Sequence, residues 1–477
     1  MKSSLLSLAT LALPALGELI LHKRDVPAVV GFDIKRKDIP NPIARDQARR
    51  KRADTVSVTL QNEEYIYLCN VTLGTPGQSV YLVLDTGSSD LWVNTPNSTY
   101  CEENSSECDY YGTYNPSKSS TYSYVNSDFN ISYADGSSAS GYYATETLKI
   151  GGTEITDLQF GIGYESSSEE GVLGIGYITN EALVSTEDTT YANLPKAMVN
   201  KGLIKSNAYS LWLNDLDSNE GSILFGGVNT EKYHGSLSTL PIDKTGNEYS
   251  AFYITLTGVS MTNSSGTTNY SSSAFPAAAL LDSGSSLTYL PNGVVEDIYD
   301  VLEVSYDEEL GYGFIACSAA KKDVNISYTF STPMITVGIA ELVLDLGGDE
   351  YFSNGEQACA FGIAPAGESS PVLGDTFLRS AYVVYDLANN EISLANTKFG
   401  STGSNIEEIG TGTDSVPDAT SVANAVTTVA VGGGSGNIGV PTGEVTIFGS
   451  KNPAPPGPTH MPRNMAMGLA GAALFML

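Results

Sequence analysis

Two short segments of the chain each place an aspartate at the end of an apolar run. The first segment, YLVLDTGSSDLWV, contains Asp85, and the second, AALLDSGSSLTYL, contains Asp282. Burial of a carboxylate among apolar side chains is costly unless other groups compensate for the lost water. The repetition of such a costly arrangement indicates a chemical role for both aspartates.

Two carboxylates that meet in one cleft cannot both ionise, because like charges repel each other, so they share one proton. The ionised member can take a proton from water, and the protonated member can donate one to a carbonyl oxygen and then to a leaving nitrogen. Such a pair hydrolyses peptide bonds without a metal ion, a cofactor or a covalent intermediate.

The residues that flank the two aspartates have the properties that this chemistry requires. Gly87 and Gly284 let backbone amides approach the carboxylates, which a Cβ would hinder. Four hydroxyl groups can hydrogen-bond the acids and each other across an interface, namely those of Thr86, Ser88, Ser283 and Ser285.

A second pair of related segments follows the aspartates, GVLGIGY at 171–177 and PVLGDTFL at 371–378. Two copies of two motifs predict two homologous halves that pack about a pseudo-twofold axis. A chain of 477 residues is too long to fold around one compact core. Short runs rich in Val, Ile, Leu and Tyr, broken by Gly, Asn and Asp, predict a mainly β fold.

With DTGSS at 85–89, DSGSS at 282–286 and the paired Val-Leu-Gly segments, the chain resembles the pepsin-like aspartic proteases of family A1 over residues 62–399. SAYVVYDLANNEISLA at 380–395 is similar to the fungal yapsin and candidapepsin types. The resemblance implies a bilobal, mainly β fold with a cleft between the lobes and an aspartic endopeptidase made as a zymogen, without cofactor or metal and monomeric.

The segment ISYADGSSASG at 131–141 resembles the hairpin, called the flap, that closes over substrate in this family. The resemblance places Tyr133 over the substrate, with its hydroxyl bonded to the indole of Trp92, and Asp135 and Ser137 near the substrate backbone. Its Asp-Gly pair is independently a turn signal between two strands. A plain surface hairpin is the alternative.

The chain divides by composition into six segments. We predict a signal peptide at 1–17, a basic propeptide at 18–52, an N-terminal lobe at 53–245, a C-terminal lobe at 246–400, a flexible Ser/Thr/Gly-rich stalk at 401–450 and a removable GPI-anchor signal at 451–477. The propeptide ends in RRKR, a processing site for a secretory convertase. These segments predict a secreted protein held by GPI at the plasma membrane or cell wall; an unanchored apolar terminus is the alternative.

The charge of the chain limits its partners. Residues 1–52 hold 11 of the 24 Lys and Arg, whereas residues 53–450 hold 11 against 49 acids. Nucleic acid and anionic surfaces are disfavoured, because binding phosphate requires clustered bases. Peptide and protein substrates are favoured, and the acidic loop CEENSSECD at 101–109 favours Lys or Arg beside the scissile bond; broader specificity is the alternative. In the family the leader lies across the cleft as an intramolecular inhibitor, through Lys35, Arg36 or Lys37.

Five cysteines in a secreted chain predict two disulfides and one free thiol. We pair Cys101 with Cys108 and Cys317 with Cys359, within each half, and leave Cys69 free. Seven Asn-X-Ser/Thr sites for N-glycosylation are present, at Asn70, Asn97, Asn104, Asn130, Asn263, Asn269 and Asn325.

Other functions are open to test. Residues 53–450 contain one histidine, His234, which we assign to a surface loop; this excludes a zinc site built on several histidines. No nucleotide-binding motif is present. Paired carboxylates also serve glycosidases, which would release sugars and resist a statine-type peptide inhibitor. A two-lobed wall protein with inert acids is the non-enzymatic alternative.

Overall fold

The computed structural model describes residues 27–40, 63–133, 137–218, 220–270, 273–308, 310–345 and 351–427. Strands dominate this part of the chain, and twelve of them precede residue 242: β1 (Val30–Pro40), β2 (Glu63–Leu73), β3 (Gln78–Asp85), β4 (Leu91–Asn94), β5 (Ser123–Ser132), β6 (Ser138–Ile150), β7 (Thr153–Ser166), β8 (Gly171–Gly174), β9 (Ala208–Trp212), β10 (Glu220–Phe225), β11 (Gly227–Asn229) and β12 (Leu237–Pro241).

The later strands are β13 (Tyr253–Leu256), β14 (Gly258–Asn263), β15 (Gly266–Tyr270), β16 (Ala277–Leu281), β17 (Thr288–Leu290), β18 (Ser305–Asp307), β19 (Tyr312–Ala316), β20 (Asn325–Thr329), β21 (Met334–Gly338), β22 (Val343–Leu344), β23 (Ala358–Phe361), β24 (Ile363–Pro365), β25 (Val372–Leu373), β26 (Ala381–Asp386), β27 (Glu391–Asn396), β28 (Ile406–Glu408) and β29 (Ala419–Ser421). The helices are short: α1 (Thr99–Glu103), α2 (Ser105–Tyr111), α3 (Ala182–Glu187), α4 (Leu194–Asn200), α5 (Asn292–Leu302) and α6 (Asp375–Leu378).

The two halves repeat one arrangement of three strands. In the first half β3 runs parallel to β8, and β8 runs antiparallel to β4. In the second half β16 runs parallel to β25, and β25 runs antiparallel to β17. Each Val-Leu-Gly segment therefore lies beside the strand that leads to an aspartate. Leu82 and Leu84 are buried in one apolar core and Val83 in another, so both faces of β3 are covered, which explains why Leu82–Leu84 forms a continuous apolar run rather than an alternating one. The predicted mainly β fold of two related halves is confirmed.

One sheet of 14 strands joins the halves, because β26 pairs with β9 of the first half and β27 pairs with β26 and with β12. Its apolar side chains belong to a core that extends from Val30 to Leu394. The predicted boundary between residues 245 and 246 falls in the connection between β12 and β13.

The predicted propeptide contributes a strand to this sheet. β1 pairs antiparallel with β10 on one side and with β2 on the other. Val30, Phe32 and Ile34 alternate with more polar residues, as a strand that covers a core requires. Ile34 is fully buried and Val30 is 6% exposed.

The prediction of a flexible stalk is wrong for residues 401–427, which we call the C-terminal strap. Its strand β28 pairs with β11, and β29 pairs with β12. Ile409 is fully buried and Val416 is 6% exposed, both in a cluster with Tyr233 and Tyr382. Strand pairing and the burial of these two apolar residues against the body together hold the strap in place.

Several predicted segments lie outside the described residues. They are the signal peptide 1–17, the parts of the propeptide at 18–26 and 41–52 with its processing site, the stalk from 428 to 450 and the GPI signal 451–477. In the described part of the chain, no helix has the length and apolar character that a membrane crossing requires.

Candidate active site

Asp85 is the last residue of β3 and is 6% exposed. The amide of Gly87 donates a hydrogen bond to its Oδ1 at 2.7 Å, and the Ser88 hydroxyl donates to its Oδ2. Thus both carboxylate oxygens accept a hydrogen bond from the turn that follows the strand, which compensates for burial.

Asp282 directly follows β16 and has the same environment. The amide of Gly284 donates to Asp282 Oδ1 at 2.9 Å, and the Ser285 hydroxyl donates to Oδ2 at 2.8 Å. The two predicted acids are therefore held by equivalent residues at equivalent atoms, as a pseudo-twofold arrangement requires.

Thr86 and Ser283 connect the two turns by hydrogen bonds. Thr86 Oγ1 accepts from Ser283 N at 2.9 Å and donates to the carbonyl of Leu281 at 3.0 Å. Ser283 Oγ accepts from Thr86 N at 3.2 Å and donates to the carbonyl of Leu84 at 2.9 Å. Thr86 and Ser283 are each 2% exposed, so solvent does not compete for these four bonds. They fix the distance between the strands that carry the aspartates.

The positions of Gly87 and Gly284 show how closely the carboxylates approach. A Cβ on Gly87 would lie 2.6 Å from Asp282 Oδ1, and a Cβ on Gly284 would lie 2.6 Å from Asp85 Oδ1. The same carbon on Gly284 would lie 3.1 Å from Asp282 Oδ1. Both Oδ1 atoms therefore face one point, where a single small group can contact both. The structure brings the two predicted acids together.

The charges of the two aspartates act on three buried tyrosines, which sequence reasoning did not identify. Burial, and then the charge of Asp282, raises the pKa of Tyr253. Burial also raises the pKa of Tyr385, to which the Asp282 charge adds, and that of Tyr209, to which the Asp85 charge adds. Their phenols therefore stay protonated next to the acids. They come from β13, β26 and β9, and no local motif marks them.

The flap hairpin consists of β5 and β6, with Tyr133 directly after β5. Trp92 Nε1 donates to the Tyr133 hydroxyl at 2.7 Å, and Tyr133 N donates to the carbonyl of Ser137 at 2.9 Å. The bond between Trp92 and Tyr133 is the one that the resemblance implied. Asp135 lies outside the described residues, so its predicted position at the flap tip stays a prediction.

A second acidic cluster lies behind the first aspartate turn, and sequence reasoning missed it. Asp90 is fully buried; its Oδ1 accepts from the hydroxyls of Tyr143 at 3.1 Å and Tyr191 at 2.8 Å, and its Oδ2 accepts from Ala182 N at 2.8 Å. Glu181 is 2% exposed and accepts from Tyr191 N at 2.7 Å through Oε2, whereas its buried Oε1 has no hydrogen-bond partner. Burial raises the pKa of Asp90 and raises that of Glu181 to about 9. The sequence signal that could have identified Asp90 is its position as an acid within the otherwise uncharged segment SSDLWV.

The remaining predicted residues can also be placed. The disulfides Cys101–Cys108 and Cys317–Cys359 are present and Cys69 is a free buried thiol, so the predicted pairing is confirmed. His234 is exposed. Among the glycosylation sites, Asn70, Asn97, Asn130 and Asn269 are exposed, whereas Asn104, Asn263 and Asn325 are half-buried. The described residues contain no group of three or more His, Cys, Asp or Glu that could hold a metal ion.

Comparisons with known proteins identify the family. A model of the family described as eukaryotic aspartyl protease matches residues 66–397. The chain is 60% identical to a probable aspartic-type endopeptidase opsB of Aspergillus oryzae, over 98% of this chain and 97% of the relative. It is 34% identical to aspartic proteinase yapsin-3 of Saccharomyces cerevisiae, over 92% and 86%. The crystal structure of an aspartic proteinase from Irpex lacteus has the same fold, with a TM-score of 0.58 and 21% identity over 79% of this chain and 100% of that one. The chain therefore belongs to the eukaryotic aspartyl protease family and is an aspartic-type endopeptidase of the pepsin-like fold.

Proposed function

We propose that Asp85 and Asp282 are the catalytic pair of this endopeptidase. The observation that carries the proposal is that both Oδ1 atoms face one point in a cross-linked pair of turns. A water molecule at that point can lose a proton to the ionised carboxylate and attack the carbonyl carbon. The protonated carboxyl group then donates to the carbonyl oxygen, and later a proton goes to the leaving nitrogen.

Conservative substitution of each acid tests this assignment. We expect Asp85→Asn and Asp282→Asn each to abolish hydrolysis of a peptide substrate while the melting temperature stays near that of the parent chain. Asp300→Asn is the matched control, because Asp300 is exposed on α5. Turnover that persists in either active-site variant would contradict the assignment.

The leader is proposed to act as an intramolecular inhibitor until it is cleaved after Arg52. β1 is inserted between two strands, and its Arg36 is half-buried whereas Lys35 is exposed. The Arg36 charge also acts on the buried phenol of Tyr67, so Arg36 is the basic residue that we assign to the interior. The full chain should be inactive in a peptide assay and gain activity when trimmed at Ala53; equal activity of both forms would contradict inhibition.

We further propose a preference for Lys or Arg beside the scissile bond. Glu107 and Glu169 both interact with Tyr100, whose hydroxyl donates to Glu107 Oε2 at 2.6 Å, and the charge of Glu170 acts on Glu169; we call these three glutamates the acidic cluster. Burial, and then the charge of Glu170, raises the pKa of Glu169 to about 7.

This acidic cluster is connected to the flap and to the strand of Trp92. Asn94 Nδ2 in β4 donates to the carbonyls of Ser168 at 2.9 Å and Glu169 at 3.1 Å. Ser138 N, at the start of the strand that returns from the flap, donates to Ser167 Oγ at 2.9 Å. At acidic pH Glu169 is protonated, so a cationic substrate side chain near the flap base would meet the negative charge of Glu107.

A peptide library digested at acidic pH measures this preference. We expect Glu107→Gln to lower kcat/KM for peptides with Lys or Arg and to leave matched norleucine peptides unchanged, with the exposed Glu187→Gln as control. An equal effect on both peptides would contradict the preference and would leave the catalytic assignment intact.

Secretion, activity at acidic pH and GPI attachment at the cell surface complete the proposal. Two disulfides support passage through an oxidising compartment, and the net charge of −30 supports an acidic medium, where protonation relieves self-repulsion. Release of the protein from cells by a phosphatidylinositol-specific phospholipase would test the anchor. Retention on treated cells that lose other GPI-anchored proteins would contradict it.

A further inference from the structure

Four tyrosines form a cluster on the outer face of the sheet that carries the flap. Tyr124 lies in β5, Tyr142 in β6, Tyr164 in β7 and Tyr122 just before β5. The ring centroids of Tyr124 and Tyr142 are 5.6 Å apart, and those of Tyr142 and Tyr164 are 4.9 Å apart. Burial, and then the charges of the other three phenols, raises the pKa of Tyr122. We call these residues the tyrosine cluster.

The tyrosine cluster is open to solvent. Tyr124 is 53% exposed and Tyr142 is 40% exposed, which is unusual for large aromatic rings that contact each other. β5 is the terminal strand of the 14-stranded sheet. Aromatic faces flanked by phenolic hydroxyls suit a ligand that has apolar C–H faces and hydroxyl groups together.

The glycosylation site at Asn130 lies on this same face. In β5 the neighbours Phe129 and Ile131 are buried and Asn130 is exposed. Asn130 pairs with Ser140 of β6, and Tyr142 is two residues further along β6. Residues two apart in a strand share a face, and such diagonal neighbours have Cα atoms about 7–8 Å apart. A sugar joined to the Asn130 side chain therefore reaches the Tyr142 ring.

We infer that the tyrosine cluster binds the N-linked glycan of Asn130. The apolar C–H face of the first N-acetylglucosamine packs on the ring of Tyr142, and the phenolic hydroxyls meet the sugar hydroxyls. The glycan forms when Asn130 Nδ2 bonds to C1 of the sugar, releases a proton and displaces a lipid-linked diphosphate from that carbon. The inference depends on passage through the secretory pathway and not on the catalytic pair.

A double-mutant cycle on the full chain secreted from a yeast host tests the inference. The four proteins are the parent, Asn130→Gln, Tyr142→Ser and the double variant. Glycopeptide mass spectrometry measures occupancy of Asn130, and calorimetry measures Tm. We expect Asn130 to be occupied, and Asn130→Gln to lower Tm by about 2 °C or more in the parent but not in the Tyr142→Ser background.

Two further variants keep the test independent of effects of the substitutions themselves. Ser132→Ala also removes the glycosylation signal and should reproduce the Tm change of Asn130→Gln. Tyr110→Ser removes a 55% exposed tyrosine outside the tyrosine cluster and should leave the effect of the glycan unchanged. An unoccupied Asn130, or additive Tm changes across the cycle, would overturn the inference.

Discussion

The buried carboxyl group of Glu181 makes stability depend on pH in a direction that can be calculated. Its ordinary pKa of 4.5 rises to about 9 in the folded chain, because burial disfavours the charged form and the charge of Asp90 adds to this effect. The groups that face it are Asp90, Tyr143 and Tyr191, none of which carries a positive charge. Between these two pKa values, Glu181 is therefore protonated in the folded chain and ionised in the unfolded chain.

The sign of the dependence follows from proton linkage. The stabilisation is fully present below pH 4.5 and is lost as the pH rises toward about 9. One group contributes a slope of up to about 1.4 kcal/mol per pH unit, so it removes about 3 kcal/mol of unfolding free energy between about pH 5 and pH 7. Asp90, whose pKa is also raised, acts in the same direction.

Glu181→Gln should remove this dependence. Gln is neutral at every pH and keeps an oxygen for the amide of Tyr191. We expect urea unfolding, followed by fluorescence of Trp92 and Trp212, to show a loss between pH 5 and pH 7 that is smaller by about 3 kcal/mol than in the parent. An Asp85→Asn background in all samples prevents self-digestion.

The matched control is Glu187→Gln, at the exposed end of the helix that follows Glu181. It should leave the pH dependence of the parent unchanged. If Glu181→Gln has the same steep loss as the control, Glu181 is ionised in the folded chain and the reasoning fails.

Three further changes follow from the same structure. Gly284→Ala places a methyl group 2.6 Å from Asp85 Oδ1, so kcat/KM for a peptide should fall by at least about 100-fold with little change in Tm; a smaller loss would contradict the close approach. Thr86→Val leaves the carbonyl of Leu281 and the amide of Ser283 without their hydrogen-bond partner. The unfolding free energy measured in urea should therefore fall by about 3 kcal/mol, whereas Thr190→Val, at an exposed threonine, should leave it unchanged. A chain that ends at residue 400 should lose at least about 3 kcal/mol through the buried Ile409 and Val416, whereas one that ends at 427 should melt like the parent; equal melting of both would refute a structural strap.

The site was predictable where its signal was local and repeated. The two Asp-Thr/Ser-Gly segments identified Asp85 and Asp282, and their hydroxyl residues predicted the cross-links between Thr86 and Ser283. The cysteine pairing was also predictable, because disulfides that stay within one half of the chain leave few possible pairs among five cysteines. The fold class followed from short apolar runs, and the repeated Val-Leu-Gly segments indicated two related halves.

Other features depend on contacts between distant segments that no local pattern reveals. Asp90 and Glu181 are 91 residues apart in a sequence that gives no reason to pair them. The C-terminal strap has the composition of a linker, and it folds because its strands pair with β11 and β12 and because Ile409 and Val416 are buried beside Tyr233 and Tyr382. Tyr253 and Tyr385 come to the active site through sheet pairing rather than through a motif.

The placement of β1 has a consequence for biosynthesis. The segment that precedes β1 is bound by β28, since Ala28 N donates to Glu408 Oε1 at 3.1 Å across 380 residues of sequence. Lys205 adds an ion pair to Glu408 at 2.8 Å. A chain that emerges from its N-terminus must therefore wait for residues 406–408 before this corner can close, and the high contact order predicts slow folding that is completed after translation. The growing chain thus exposes the edges of β9, β11 and β12 until residues 381–421, which supply their partner strands, have been made, and these open edges are sites where chaperones can bind.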